Sequence, residues 1–187
     1  MALGWFGKKK GKPASQPPQS APAAAPSAAS PKGVSVSRLL DEDLVLLAPE
    51  GVDKERLIEL MANRLCEKRK LGNPAPFLAK VLEREQGIST TLDTGLAVPH
   101  ARMDGLESVA AILGLAPKGM PDPKQPDLTI RAMFMFFSPN RPDAFTQHLH
   151  LLRGVSALFQ GGFIDELLRH PSPPEVLRLI RSKEQAV

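Results

Sequence analysis

The chain has 187 residues, 42% of them apolar, and a formal net charge of +4. That is enough for one ordinary globular domain plus an extension. The charge is uneven: residues 1–33 hold five lysines and no acid, and the remaining 19 basic and 20 acidic residues leave −1. A nearly neutral body gives no electrostatic case for a nucleic-acid-binding domain.

Cys66 is the sole cysteine, so an internal disulfide and a CxxC metal knuckle are both excluded. One thiol fits a reducing cytosol. No run approaches the ~18 apolar residues of a transmembrane helix. The opening "MALGWFGKKKGK" is a poor signal peptide, because its lysines follow the short apolar segment. Two readings compete for it. Trp5 and Phe6 could sit in a membrane interface with the lysines on anionic headgroups, or the terminus could be solvated. So few apolar residues give marginal membrane affinity, which favours the second. The stretch also lacks the GxxxxGK[ST] spacing of a phosphate loop. Residues 13–31 are six Pro, seven Ala, four Ser and two Gln. Such a composition cannot offset the entropy of ordering and reads as a semi-extended linker. The expected division is a basic, Pro/Ala/Ser-rich tail over 1–33 and a folded domain over 34–187.

Within the domain, "LVLLA" (44–48) reads as a strand. A helix follows, with Asp53 as N-cap and Leu57, Ile58, Met61 and Leu65 at helical spacing. "PFLAKVLERE" (76–85) is a second helix, stopped by Gly87. "TGLAVPH" (94–100) and "SVAAILGLA" (108–116) read as strands. "LTIRAMFMFFS" (128–138) is apolar on both sides apart from Thr129 and Arg131, as a central strand covered by helices would be. Between them, "GMPDPKQPD" (119–127) reads as a stiff polar loop. Residues 143–160 form a helix that Asp143 can cap, with Leu149, Leu152, Ser156 and Phe159 on one face. Helices at 162–170 and 172–183 end the chain, the last with Ser172 as N-cap and Pro173 at its first position. The expected fold is α/β, a mixed β-sheet sandwiched between helices.

Four histidines carry the chemical question. His170 ends a helix beside Pro171. His148 and His150 lie two apart on a helix, roughly 200° around it, and cannot ligate one metal together. No HExxH or similar pattern is present, and no GxSxG elbow supports a serine nucleophile. No metal and no cofactor are expected. His100 follows Pro99 at the end of an apolar run, which places it at a strand end near the sheet rim. On local grounds alone it reads as a turn histidine with a satisfied hydrogen bond rather than a reactive one.

"LEREQGISTTLDTGLAVPHAR" (82–102), followed by "HLHLLRGVSALF" (148–159), resembles the enzyme IIA component of the bacterial phosphotransferase system, fructose/mannitol type, including its nitrogen-regulatory branch. The matching pieces are Arg84-Glu85, Ser89-Thr90, Gly95 to His100, and His148-Leu149 with Leu152. They are spaced 16 residues from Arg84 to His100 and 48 from His100 to His148. The resemblance covers roughly residues 35 to 182. It implies that His100 accepts a phosphoryl group from the phosphocarrier HPr, on its distal Nε2, and hands it to an enzyme IIB component or holds it as a regulatory mark. It further implies that His148 is a second active-site histidine and Arg84 a nearby cation. Thr90 is a candidate for orienting an imidazole nitrogen and Arg102 for binding phosphate. Taken singly, Arg84 reads as a solvated helix residue, His148 as a helix histidine at the rim of the apolar face, and Arg102 as an exposed turn residue. The 119–127 segment departs from the family pattern, as does Gly154 inside a helix. Three functions compete: a cytoplasmic carrier in sugar uptake, a regulatory protein whose phosphorylation controls target binding, and a degenerate binding module without chemistry.

Overall fold

A computed structural model describes residues 35–186. The expected tail over 1–33, with Trp5 and Phe6, lies outside the described residues. In chain order the elements are β1 (Val45–Leu47), α1 (Lys54–Arg69), α2 (Ala75–Gln86), β2 (Leu96–Ala97), β3 (His100–Met103), β4 (Ala110–Asp122), β5 (Gln125–Pro139), α3 (Phe145–Leu158), α4 (Phe163–Arg169) and α5 (Pro173–Gln185). Single 3-10 turns precede α3 and flank the start of the domain. The sheet is mixed: β1 runs parallel to β4, β4 antiparallel to β5, and β2 and β3 both run parallel to β5.

The apolar run of β5 does become the central strand. Its side chains alternate between two helical layers. Phe137 meets Phe77 of α2 edge-on, with ring centroids 5.1 Å apart, while Phe134 faces Phe159 just beyond α3 at 6.5 Å and Phe136 faces His148 of α3 at 5.2 Å. On β4, a Cβ placed on Gly114 would stand 2.9 Å from the Met61 sulfur, so α1 lies tight against the sheet there. Asp53 caps α1 as expected, its carboxylate accepting from the Arg56 N–H at 2.8 Å.

Four expectations are corrected. First, "TGLAVPH" is two short strands. Ala97 pairs with Met133 and His100 with Phe136, so the register on β5 continues across Pro99, whose missing N–H interrupts the ladder. His100 therefore opens a strand and does not end one. Second, "GMPDPKQPD" is mostly strand. β4 and β5 run on as a hairpin whose register shifts fall between Leu115 and Met120 and between Pro121 and Asp122. Prolines are accommodated at such bulges. The turn is closed by Asp122, whose carboxylate accepts from the N–H groups of Lys124 and Gln125 at 2.8 and 3.2 Å. Third, the buried face of α3 is His148, Leu151, Val155 and Leu158, and Leu149 is 48% exposed. Treating His148 as a rim residue displaces the apolar stripe by one position. Fourth, Asp143 does not cap α3. It lies in the preceding 3-10 turn, ion-paired to Arg141 at 3.4 Å, and the N-cap is Ala144. Ser172 is the N-cap of α5 by position, but its hydroxyl makes no capping bond.

Gly95 shows why the turn before β2 demands glycine. Its φ is +82°, and an added Cβ would stand 3.0 Å from the Thr129 carbonyl oxygen, a backbone atom that cannot swing aside. Its own carbonyl accepts from Arg131 and Ala132 on β5. Gly95→Ala is expected to lower stability by about 1–3 kcal/mol, read as a shifted urea midpoint at constant slope. An unchanged midpoint would show that the turn adapts.

Candidate active site

Three elements converge on one open cavity of about 550 Å³: the last turns of α2, the first residues of β3 and the first turn of α3. Its lining includes Lys80, Arg84, Gly87, His100, Arg102 and His148. Arg84, His100, Arg102 and His148 are thus brought together from positions far apart in sequence. His150 lies outside this group, and it is half-buried, where the sequence suggested a surface position. Thr90 is buried and its hydroxyl donates to Glu85 at 2.5 Å. That hydroxyl does not bond the imidazole directly; the Val98 carbonyl does, 2.8 Å from His100 Nδ1.

That contact fixes the chemistry of His100. A carbonyl oxygen can only accept, so Nδ1 carries the proton and Nε2 keeps its lone pair. The ring lies against Phe136, centroids 5.4 Å apart and planes within 13°. Burial lowers the His100 pKa and the Arg84 guanidinium lowers it further. The Val98 carbonyl and Glu85 oppose this without reversing it. His100 is therefore neutral at pH 7.

His148 is 6% exposed, and its ring centroid is 5.3 Å from that of His100. Burial, then the nearby His100 and Arg102, lower its pKa to about 4. Its Nδ1 is 2.6 Å from the hydroxyl of Ser138, itself fully buried at the end of β5. Nε2 is the nitrogen left for a ligand. Sequence reasoning missed Ser138; its signal was a lone hydroxyl closing the run "AMFMFFS".

The cations are arranged around these neutral rings. Arg84 is exposed and donates to the Ile88 carbonyl at 2.9 Å. Arg102 donates to the Arg141 carbonyl at 2.8 Å and lies over the Phe145 ring at 5.2 Å. Its Nε is buried without a partner. Lys80 pairs with Glu83 at 2.9 Å. One nucleophilic nitrogen, a second neutral imidazole and three cations suit an incoming group rich in anionic oxygens. Among the described residues, no cluster of three His, Cys, Asp or Glu is placed to hold a metal.

The family model "Phosphoenolpyruvate-dependent sugar phosphotransferase system, EIIA 2" matches residues 38–183. The chain belongs to this family. A curated relative, the nitrogen regulatory protein of Pseudomonas aeruginosa, is 27% identical over 148 residues, covering 77% of this chain and 92% of that protein. The fructose-specific EIIABC component of Bacillus subtilis is 24% identical over 153 residues, covering 81% of this chain but only 24% of that longer protein. Among solved structures, nitrogen regulatory protein IIA-Ntr from Neisseria meningitidis superposes with a TM-score of 0.67 at 22% identity, covering 78% of this chain and 98% of that one. The enzyme IIA of mannitol from Escherichia coli, solved in complex with its phosphorylated enzyme IIB, gives 0.62 at 20% identity, covering 76% and 97%. The EIIA 2 fold, a mixed sheet with five helices, is thus common to this chain and to both structures. No helix among the described residues is long and apolar enough to cross a membrane.

Proposed function

We propose that this chain is a cytoplasmic histidine phosphocarrier. Nε2 of His100 accepts a phosphoryl group from a phosphorylated HPr-type protein and passes it to an enzyme IIB component in sugar uptake. The observation that carries this reading is the Val98 carbonyl on Nδ1, which leaves Nε2 as the nucleophile. In the step, the donor's N–P bond breaks as the Nε2–P bond forms. The ring becomes an imidazolium that keeps its Nδ1 proton, and the bond to Val98 strengthens as the charge appears. No proton has to leave. His148 can donate from Nε2 to a phosphoryl oxygen if Ser138 donates its hydroxyl proton to Nδ1. Arg84 and Arg102 balance the equatorial charge, which is most of what phosphoryl transfer asks of a protein. The carrier domain would span 34–187, with 1–33 a basic tail outside it.

A second reading has its own support. The nitrogen regulatory relative is matched over 92% of its length, against 24% of the fructose-specific EIIABC component. Here the phosphoryl mark on His100 would govern binding to a target protein, without sugar transport.

Incubation with phosphorylated HPr is expected to place acid-labile, alkali-stable phosphate on the chain, and a purified fructose- or mannitol-type IIB domain to drain it. No label on the wild-type chain would defeat both readings. Label that no such IIB removes would favour the regulatory one.

A further inference from the structure

A buried ionic node lies behind the cavity, and nothing in the phosphoryl-transfer step uses it. Lys54, at the start of α1, is buried with its ammonium 2.8 Å from Glu85 and 2.9 Å from Asp122. Asp122 is fully buried and also accepts from the hydroxyls of Ser89, at 2.7 Å, and Thr91. Lys124, at the hairpin tip, donates to the carbonyls of Glu85 and Gly87. The node therefore clamps the segment between α2 and β2 onto both α1 and the β4–β5 hairpin.

From it, a continuous line of contacts leads to the imidazole. Glu85 accepts from the Thr90 hydroxyl at 2.5 Å with its second carboxylate oxygen. The Thr90 carbonyl accepts from the Val98 N–H at 3.1 Å. The Val98 carbonyl then takes the His100 Nδ1 proton at 2.8 Å. Each link fixes the peptide that makes the next. Val98 precedes Pro99, so its carbonyl lies where β2 breaks and no strand-to-strand bond locks its orientation.

We infer that Glu85 and Thr90 are positioning residues for the phosphoryl-accepting histidine: Glu85 holds Thr90, Thr90 holds the Val98 peptide, and that peptide keeps the proton on Nδ1 and the lone pair on Nε2. Arg84 and Glu85 thus work in opposite directions along α2, one towards the cavity and one towards the node. The kinetic part of this inference rests on His100 being the acceptor; the tautomer part does not.

The test uses the full-length chain labelled with 15N, since the two imidazole nitrogens resonate differently in the two tautomers. Thr90→Val keeps the shape of the side chain and removes its hydroxyl. It is expected to populate the Nε2–H tautomer of His100 and to slow phosphoryl acceptance from phosphorylated HPr about tenfold, the penalty of a slightly misplaced reacting group. Thr90→Ser restores the hydroxyl and should restore both readouts. Glu85→Gln should shift the tautomer in the same direction. A residue that only stabilised the fold would lower the unfolding midpoint and leave the tautomer where it was. A wild-type His100 tautomer in Thr90→Val therefore overturns the inference, whatever happens to the rate. If Glu85→Gln does not fold, the Thr90 pair decides alone. If the wild-type chain takes up no phosphate, the proposed function fails, and the tautomer comparison still decides the positioning.

Discussion

His100→Ala is expected to take up no acid-labile phosphate from phosphorylated HPr, and His148→Ala to take it up about 100- to 1000-fold more slowly, the usual effect of losing one donor to a developing oxyanion. The two differ because, in the proposed function, His100 forms the bond while His148 assists it. The rings are 5.3 Å apart at their centroids, close enough for Nε2 of His148 to reach an oxygen on a phosphoryl group held by Nε2 of His100. Both histidines must be neutral to act in this way, and burial keeps them so. Acceptance should therefore be flat around neutrality and fall as pH drops below 6.5 through the lowered pKa of His100. Stability follows the same sign. The unfolded chain binds protons on these histidines near pH 6.5, while folded His148 resists them until about 4. Their contribution is complete above 6.5 and is lost as pH falls towards 4. His148→Ala should flatten that part of the stability curve. Rapid-quench transfer rates across pH, together with urea midpoints, check both claims. Wild-type transfer rates in His148→Ala would remove its role, and label retained by His100→Ala would move the acceptor elsewhere.

The sequence made the central strand and α1 legible because each is dictated by local pattern, while the nearness of Arg84 to His100 was implied only by the family resemblance. β5 is apolar on both sides and so must be covered twice. α1 has an N-cap and a clean helical stripe. The errors have a shared physical origin in contacts made across long sequence distances. His148 reads as polar when its burial depends on Ser138, Phe136 and His100, three partners on other elements. The 119–127 segment reads as loop from its prolines, yet Met120 and Asp122 turn inward because α1 and the Ser89–Thr91 segment lie there to receive them. Thr90 reads in the sequence as a candidate for orienting an imidazole nitrogen, but its hydroxyl serves Glu85 and only its backbone leads to the imidazole. Motif spacing marks which residues matter and leaves open which of their atoms do the work.

Lys54→Met is expected to be the most damaging of these substitutions to stability, by about 3–5 kcal/mol at pH 7. Lys54 reads in sequence as a solvated residue in the first turn of a helix, and nothing local suggests otherwise. In the fold it is the only ammonium in contact with two buried carboxylates among the described residues, Glu85 and Asp122. Methionine fills its volume and leaves both carboxylates without that cation. The pH dependence separates this from a packing defect. Burial alone would raise the Asp122 carboxyl, but hydrogen bonds from Thr91, Lys54, Ser89 and the Lys124 backbone outweigh it and hold the pKa well below the usual carboxylate range. In the wild type, that group adds stability above the ordinary carboxylate pKa near 3.9, and the contribution is lost as pH falls through its lower folded value. Without the ammonium, the Asp122 pKa should rise, so acid relieves part of the defect: the gap between variant and wild type should narrow below pH 4. Adding Asp122→Asn to Lys54→Met removes one orphaned charge and should recover part of the loss at pH 7, a non-additive result that a simple cavity would not give. Urea unfolding of the three proteins at pH 7 and pH 3 reads all of this. A loss below about 1 kcal/mol for Lys54→Met, or a gap that does not change with pH, would mean that the carboxylates find other partners and that the ionic node is not what ties the β4–β5 hairpin to the back of the His100 site.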